Sequence, residues 1–193
     1  SSLIPNVTYY FQVRARNYQS VYSSYLNLGS TATLAAPPAS SLFALVSTVS
    51  LRAVWTNGGN PDGTRFTAEI SNDGFSSVLA SSLTVNAYAD FLSLSINATY
   101  YARVKARNWN MTETNYTDLG STATLAMPPS SSISTFTFVG TSSATIQWQA
   151  NGNPQGTVYV VEASNFMAFA PIASSSRTLA TQALKTFTHI ARG

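Results

Sequence analysis

The sequence contains no cysteine and only one histidine, His189, among its 193 residues. Without thiols the chain can form neither a disulfide framework nor a thiolate metal site. A single histidine does not supply a metal centre built from several histidines. Stability must therefore come from hydrophobic packing, for which a chain of this length is large enough.

Charge is also scarce. Only 9% of the residues are charged, against about 25% in typical soluble proteins. Ten basic and seven acidic residues give a net charge of +3, and the basic residues form no cluster of the kind that binds nucleic acid. Ser, Thr and Asn fill the polar positions and lower the helix propensity. The composition predicts an all-β protein that does not bind nucleic acid.

Long hydrophobic runs are missing as well. No apolar run approaches the roughly 18 residues that a membrane-spanning helix needs. Residues 1–7 lack the basic stretch and apolar core of a signal peptide. We therefore expect no membrane insertion, and any export signal would lie outside these residues.

An internal repeat is the strongest feature that the sequence does have. Residues 6–38 return 91 positions later as residues 97–129, and 19 of the 33 aligned positions are identical. Residues 55–71 return 93 positions later as residues 148–164. Chance does not produce such similarity, so the chain is predicted to contain tandem units of about 90 residues.

Hydrophobic residues alternate with polar ones inside each unit. In residues 9–16 the apolar phase is Tyr, Phe, Val and Ala, whereas the polar phase carries Gln12, Arg14 and Arg16. A period of two is the period of a β-strand with one buried face. The turn sequences GGNPDGT and NGNPQGT separate such runs. Several short strands joined by regular turns predict a sandwich or barrel.

The pattern resembles the fibronectin type III family over nearly the whole chain. Trp55 and Trp148 each end an alternating strand just before a turn rich in proline and glycine. A Leu-x-x-Asn-x-Thr-Tyr-Tyr run occurs at residues 3–10 and again at residues 94–101. The resemblance implies tandem immunoglobulin-like β-sandwiches in which both tryptophans are core residues. It also implies that Tyr9 and Tyr100 are core corner tyrosines whose hydroxyls bond to upstream backbone.

Matching the strands of that family to the chain predicts three segments. Residues 1–38 would supply strands F and G of a partial module, 39–129 a complete module, and 130–193 strands A to E of another partial module. Gly193 aligns with Asn97, and Asn97 in turn aligns with Asn6. The last residue therefore falls at the same place in the repeat unit as a residue near the start of the chain. Two interpretations remain open. The chain is a window of a longer array, or its first hairpin completes the last module of another copy and builds a head-to-tail filament by strand complementation.

The acidic residues do not form a recognisable active site. All seven lie in turns or on outward strand positions, and Glu69 and Glu162 occupy equivalent places in the repeat. Catalysis by carboxylates needs two of them facing one cleft, and a repeated position indicates shared architecture. We predict that the chain is not an enzyme and binds no cofactor or metal.

Two sets of residues are candidate surface contacts. The outward phase of the two F strands carries Arg14 and Arg16 in one copy, and Arg103, Lys105 and Arg107 in the other. These side chains could bind anionic polysaccharide, or they could pair across strands, with Glu69 compensating Lys105.

Trp109 and Tyr18 fall in the loops between strands F and G. They are candidate contacts for sugar or protein, or they pack against the neighbouring linker.

The low charge and the abundance of Ser, Thr and Asn are typical of bacterial exported repeat proteins. No loop contains an Arg-Gly-Asp triplet, so integrin-type adhesion is not indicated. The hypothesis is a non-catalytic structural array of a secreted or cell-surface protein, whose partners are other copies of itself or neighbouring modules. The alternatives are an adhesion module that binds polysaccharide or protein, and an accessory module of a larger exported enzyme.

Overall fold

The computed structural model describes residues 2–179 and 184–188. All fourteen of the regular elements in these residues are β-strands, as predicted. The chain divides into two compact units, Ser1–Ser93 with Thr99–Ala123 and Leu94–Ala98 with Thr124–Gly193. No helix in the described residues is long and apolar enough to cross a membrane. His189 and the predicted alignment of Gly193 with Asn97 lie outside the described residues.

The first unit begins with an antiparallel hairpin, which we call the N-terminal hairpin. Its strands are β1 (Thr8–Val13) and β2 (Leu26–Ala32), paired from Thr8 opposite Ala32 to Val13 opposite Leu26. The half-buried Tyr9 ring sends its hydroxyl to the Ile4 backbone N–H, which donates to it at 2.8 Å. This bond is the one that the fibronectin resemblance implies for a corner tyrosine.

The rest of the first unit contains seven strands, which we call the central sandwich. Two antiparallel sheets form it, one in the order β3-β4-β7 and the other in the order β6-β5-β8-β9. Three strands facing four in this order are the A-B-E and C′-C-F-G sheets of a fibronectin type III-like sandwich, which confirms the predicted fold. The strands are β3 (Ala39–Ala44), β4 (Leu51–Thr56), β5 (Arg65–Ser71), β6 (Ala80–Thr84), β7 (Tyr88–Phe91), β8 (Thr99–Arg107) and β9 (Thr117–Ala123).

The core of the central sandwich lies between these two sheets. Trp55 of β4 is only 3% exposed and packs edge-on against Phe66 of β5, with 5.8 Å between ring centroids. Tyr100 of β8 is 2% exposed. Burial alternates along β8, so its small and apolar residues face inward while its charged residues face outward. The alternation of apolar and polar residues in the sequence therefore determines which side chains face the core and which face the solvent.

The second unit contains five further strands, which we call the C-terminal sheets. One sheet has the order β10-β11-β14 and the other consists of β12 and β13. Trp148 contacts Tyr159 edge-on at 5.7 Å, as Trp55 contacts Phe66. Trp148 is only half-buried, however. The strands are β10 (Ser130–Val139), β11 (Ser143–Gln149), β12 (Val158–Ala163), β13 (Ser174–Leu179) and β14 (Leu184–Thr188).

The turn after β5 is organised by one carboxylate. Asp73 accepts hydrogen bonds from the Ser71 hydroxyl at 2.6 Å and from the Ser77 hydroxyl at 2.6 Å. The Ser77 backbone N–H also donates to it at 3.0 Å. These hydrogen bonds, that of Ser71 foremost, stabilise the charged form and lower the pKa of Asp73 to about 2.

Stability should therefore fall in acid as Asp73 takes up a proton. The folded pKa is below the unfolded value of about 3.9, so the contribution is complete above that value and is lost as the pH falls towards 2. The Arg52 hydrogen bond lowers the pKa of Asp90 in the same direction. Urea unfolding between pH 6 and pH 2 should show a smaller decline for Asp73→Asn than for the parent chain. An unchanged slope would contradict this assignment.

Candidate functional site

The turn between β4 and β5 holds the linker that follows the N-terminal hairpin. Asn60, in this turn, is buried. Its Oδ1 accepts from the Ala36 backbone N–H at 2.8 Å, and its Nδ2 donates to the Ala36 carbonyl at 2.8 Å. Nδ2 also donates to the Asn57 carbonyl at 2.6 Å. One side-chain amide thus satisfies both backbone groups of a linker residue, as a neighbouring strand would.

The second unit repeats this arrangement with the same atoms. Asn153 Oδ1 accepts from the Met127 N–H at 2.8 Å, and Nδ2 donates to the Met127 carbonyl at 2.7 Å. Nδ2 again reaches a third carbonyl, that of Ala150, at 2.8 Å. The sequence predicted only turns at GNPDGT and GNPQGT. The structure shows that each of these turns binds the linker before it.

A second asparagine strengthens the first junction. Asn6, at the corner before β1, is completely buried. Its Nδ2 donates to Thr64 Oγ1 at 2.8 Å, and its Oδ1 accepts from the Trp109 backbone N–H at 2.8 Å. The same pair recurs in the second unit, where Asn97 Nδ2 donates to Thr157 Oγ1 at 2.8 Å. We call the contacts of Asn60, Asn153, Asn6 and Asn97 the asparagine junctions.

The loop between β8 and β9 completes the first junction. Asn108 Nδ2 donates to the Thr33 carbonyl at 3.1 Å, and Asn110 Nδ2 donates to Thr31 Oγ1 at 2.9 Å. Trp109 is 47% exposed, and its backbone rather than its indole makes the hydrogen bond to the junction. Tyr18, at the equivalent position of the N-terminal hairpin, is fully exposed.

The charged residues of β8 are paired across strands. Arg103 forms an ion pair with Glu69 at 2.7 Å and lies between the rings of Phe75 and Tyr116, about 4 Å from each centroid. Lys105 pairs with Glu113 at 2.6 Å, a hydrogen bond that raises the pKa of Lys105. The expectation that Glu69 compensates Lys105 is therefore wrong, because the register places Glu69 opposite Arg103.

The remaining basic candidates have different surroundings. Arg14 stacks over Tyr22 and Tyr25, with 3.8 Å and 4.7 Å to the ring centroids. Arg16 donates a hydrogen bond to Ser20. Neither arginine forms an ion pair within residues 2–179 and 184–188. Arg107 is half-buried at the end of β8, where it lies opposite Arg65.

In the described part of the chain, the candidate contact residues lie apart: Arg103 lines a cleft with Phe75 and Tyr116, whereas Arg14 stacks on Tyr22 and Tyr25. The structure brings together asparagines and threonines that the sequence analysis did not select. The signal was present, since each of them occupies the same place in both copies of the repeat: Asn6 and Asn97, Asn60 and Asn153, Thr64 and Thr157. A polar residue that the repeat retains at a buried position needs a hydrogen-bond partner there.

Close approach of the linker also restricts the glycines of the first turn. A Cβ on Gly58 would lie 2.3 Å from the Pro37 carbonyl oxygen, whereas a Cβ on Gly59 would meet nothing within 4 Å. Both residues have positive φ, at 67° and 82°. Alanine is strained at either position, but only Gly58→Ala also collides with the linker.

We therefore expect Gly58→Ala to destabilise the first junction more than Gly59→Ala does. Both substitutions carry the cost of positive φ, about 1 kcal/mol, so their difference isolates the contact with Pro37. Amide hydrogen exchange at Ala36 measures it. Equal protection of Ala36 in the two variants would contradict the expectation.

Comparison with known proteins gives similarity at the level of fold. No protein-family model matches the chain, and no curated protein matches it. Among solved structures, domains d3-d4 of the rat CD45 extracellular region are 15% identical with a TM-score of 0.46, covering 64% of this chain and 67% of that one. Domains A168-A170 of titin are 18% identical with a TM-score of 0.40, covering 52% and 37%. An fn3 domain of the human collagen alpha-1(XX) chain is 14% identical with a TM-score of 0.41, covering 51% and 92%.

Proposed function

We propose that the chain is a non-catalytic structural repeat protein in which the asparagine junctions hold each module to the linker that precedes it. The observation that carries this proposal is the repetition of the junction. Asn60 with Ala36 and Asn153 with Met127 form the same two hydrogen bonds to the linker backbone. Buried hydrogen bonds of this kind hold the linker against the module that follows it, and proline in the linker adds stiffness.

The charged residues support a structural role. Glu69, Glu113 and Asp90 form ion pairs with basic residues, and Asp73 organises a turn. Within the described residues, no three His, Asp or Glu side chains converge as a metal site would require. These four carboxylates thus have structural partners.

We further propose that such an array works at the cell surface or outside the cell. Its partners are other copies of the chain, joined head to tail into a filament by strand complementation, or neighbouring modules of the same polypeptide. An adhesion module for polysaccharide or protein, or an accessory module of an exported enzyme, would need a free contact surface. Arg103 and Lys105 do not supply one, because both are paired with carboxylates.

Asn60→Ala tests the role of the junction. The substitution removes two hydrogen bonds to Ala36, each worth about 0.5–1.5 kcal/mol. Amide hydrogen exchange at Ala36 should then accelerate roughly tenfold or more, because the linker opens without global unfolding. The matched control is Asn27→Ala, since the exposed Asn27 side chain bonds only the nearby Gly29 N–H among the described residues.

Three results are informative. Faster exchange at Ala36 in Asn60→Ala alone supports the structural role of the junction. Equal exchange in Asn60→Ala and the parent chain would contradict it, since the modules would then be joined without the asparagine. Faster exchange at Ala36 in both variants would also contradict it, because the effect would not be specific to the junction.

A further inference from the structure

In the N-terminal hairpin, the face that corresponds to the buried face of β8 and β9 is largely exposed. Val13 and Leu28 of this hairpin are exposed, whereas the residues at the same repeat positions in the central sandwich are buried. Val13 is 47% exposed and its equivalent Val104 is 0% exposed. Leu28 is 59% exposed and its equivalent Leu119 is 2% exposed. The hairpin thus carries the sequence of a buried F–G pair on both of its strands.

The C-terminal sheets, in contrast, have an unpaired strand edge where the central sandwich has a paired one. β12 pairs with β13 on one edge, and no strand of the described residues pairs with its other edge. In the central sandwich the corresponding strand, β5, has β8 on that edge. The same unit contains an apolar cleft of about 450 Å³, whose lining includes Phe136, Ile146, Trp148, Phe187 and, from the end of β12, Ala163.

We propose that the N-terminal hairpin of a second copy binds the open edge of β12, in the register in which β8 pairs with β5. This inference rests on the proposed structural function and names its partner and its contacts. Transferred by the two repeat offsets, the register places Val13 opposite Val161, Gln12 opposite Glu162 and Phe11 opposite Ala163. In the central sandwich the same places are Ala68 with Val104, Glu69 with Arg103, and Ile70 with Ala102.

Side-chain size supports this register. In the central sandwich a large Ile70 lies opposite a small Ala102. In the proposed joint the sizes are exchanged, with small Ala163 opposite large Phe11. The total volume at the position is retained although both residues differ, as close packing in a core requires. The hairpin of one copy therefore matches the C-terminal sheets of another in size at this position, although neither residue is identical to its equivalent in the central sandwich.

Polar groups of the second asparagine junction that have no hydrogen-bond partner in the described residues also support this register. In the first junction Asn6 Oδ1 accepts from the Trp109 N–H. Asn97 is the equivalent of Asn6, and in the described part of the chain no donor reaches its Oδ1, while its Nδ2 bonds Thr157. The repeat equivalent of Trp109 is Tyr18, whose N–H has no acceptor among the described residues. The bound hairpin would bring the Tyr18 N–H to Asn97 Oδ1.

One further hydrogen bond follows from the register. In the central sandwich the Tyr116 hydroxyl donates to Glu69 at 2.8 Å. The equivalent residues are Tyr25 of the hairpin and Glu162 of β12. Glu162 is exposed, and the proposed joint would give its carboxylate this tyrosine as a donor.

Disulfide trapping tests the register directly, because the chain has no cysteine of its own. Val13→Cys and Val161→Cys are made in separate full-length chains and mixed under mild oxidation. A crosslink between them should form roughly tenfold faster than one between Val13→Cys and Val160→Cys, since Val160 points to the other face of β12. Equal rates, or a predominant crosslink between two Val13→Cys chains, would overturn the proposal.

A gain-of-affinity variant supplies an independent test. Gln12→Arg should restore opposite Glu162 the ion pair that Arg103 makes with Glu69, and should strengthen self-association about two- to fivefold. The gain should disappear when Glu162→Gln is introduced in the same chain. A gain that persists without the carboxylate, or no gain with it, would contradict this register.

These results separate the inference from the function on which it rests. A chain that stays monomeric, yet shows faster exchange at Ala36 in Asn60→Ala, would disprove the docking and keep the structural array. Unchanged exchange at Ala36 in that variant would remove the array proposal itself, whatever the crosslinks show.

Discussion

Trp55→Ala is expected to lower the unfolding free energy of the central sandwich by about 3–5 kcal/mol. Trp55 is 3% exposed and fills the space between the two sheets, where it packs against Phe66. Its Nε1 has no hydrogen-bond partner in the described residues, so the loss comes from packing and from the cavity left behind. Urea unfolding followed by hydrogen exchange in β4, β5 and β8 measures it for this unit.

Trp148→Ala is the matched control for that substitution. Trp148 makes the same edge-on ring contact, here with Tyr159, but its indole is half-buried. Trp148 buries less of its apolar surface than Trp55 does, so Trp148→Ala should lower the free energy of unfolding by less than Trp55→Ala does. An equal or greater loss in Trp148→Ala would show that the C-terminal core is already closed within one chain.

Val13→Asp is expected to weaken self-association of the chain roughly 100-fold or more, because the proposed joint would bury an unpaired carboxylate. Val13 is exposed in the single chain, whereas its equivalent Val104 is completely buried in the central sandwich. The stability of the central sandwich should therefore remain unchanged while association is lost. Light scattering over a dilution series measures the association, and thermal unfolding measures the stability.

Ser30→Asp is the control that separates charge from location. Ser30 lies on β2 of the same hairpin, and its equivalent Ser121 is exposed in the central sandwich. A carboxylate there stays in water in the proposed joint and should leave association nearly unchanged. Similar losses in both variants would indicate a non-specific effect of charge, and no loss in either would show that the hairpin is not the contact.

The fold could be predicted from the sequence because the alternation of apolar residues is a local property of each strand. Leu51, Ala53 and Trp55 share one phase of β4, and all three are buried. Tyr9 was predicted from its corner motif, and its hydroxyl does bond the upstream backbone. Its ring is only half-buried, since burial depends on a partner sheet that a strand's own sequence does not describe.

The junction could not be predicted in the same way. Asn60 lies in a turn sequence that any tight turn could use, and only the tertiary approach of Ala36 gives its amide a role. Glu69 pairs with Arg103 and not with Lys105 because of the strand register, and the whole ladder between β5 and β8 sets that register. Charge patterning placed these residues on the outer face, but it paired Glu69 with Lys105, whereas the register places Glu69 opposite Arg103.

Sedimentation velocity of the intact chain over a wide range of concentration tests the account most directly. The N-terminal hairpin and the C-terminal sheets are different surfaces, so each joined pair leaves one of each free for the next copy. Species should therefore grow without a fixed stoichiometry as concentration rises, and Val13→Asp should return them to monomer. A single monomeric species at every concentration, or growth that stops at a dimer, would contradict head-to-tail assembly.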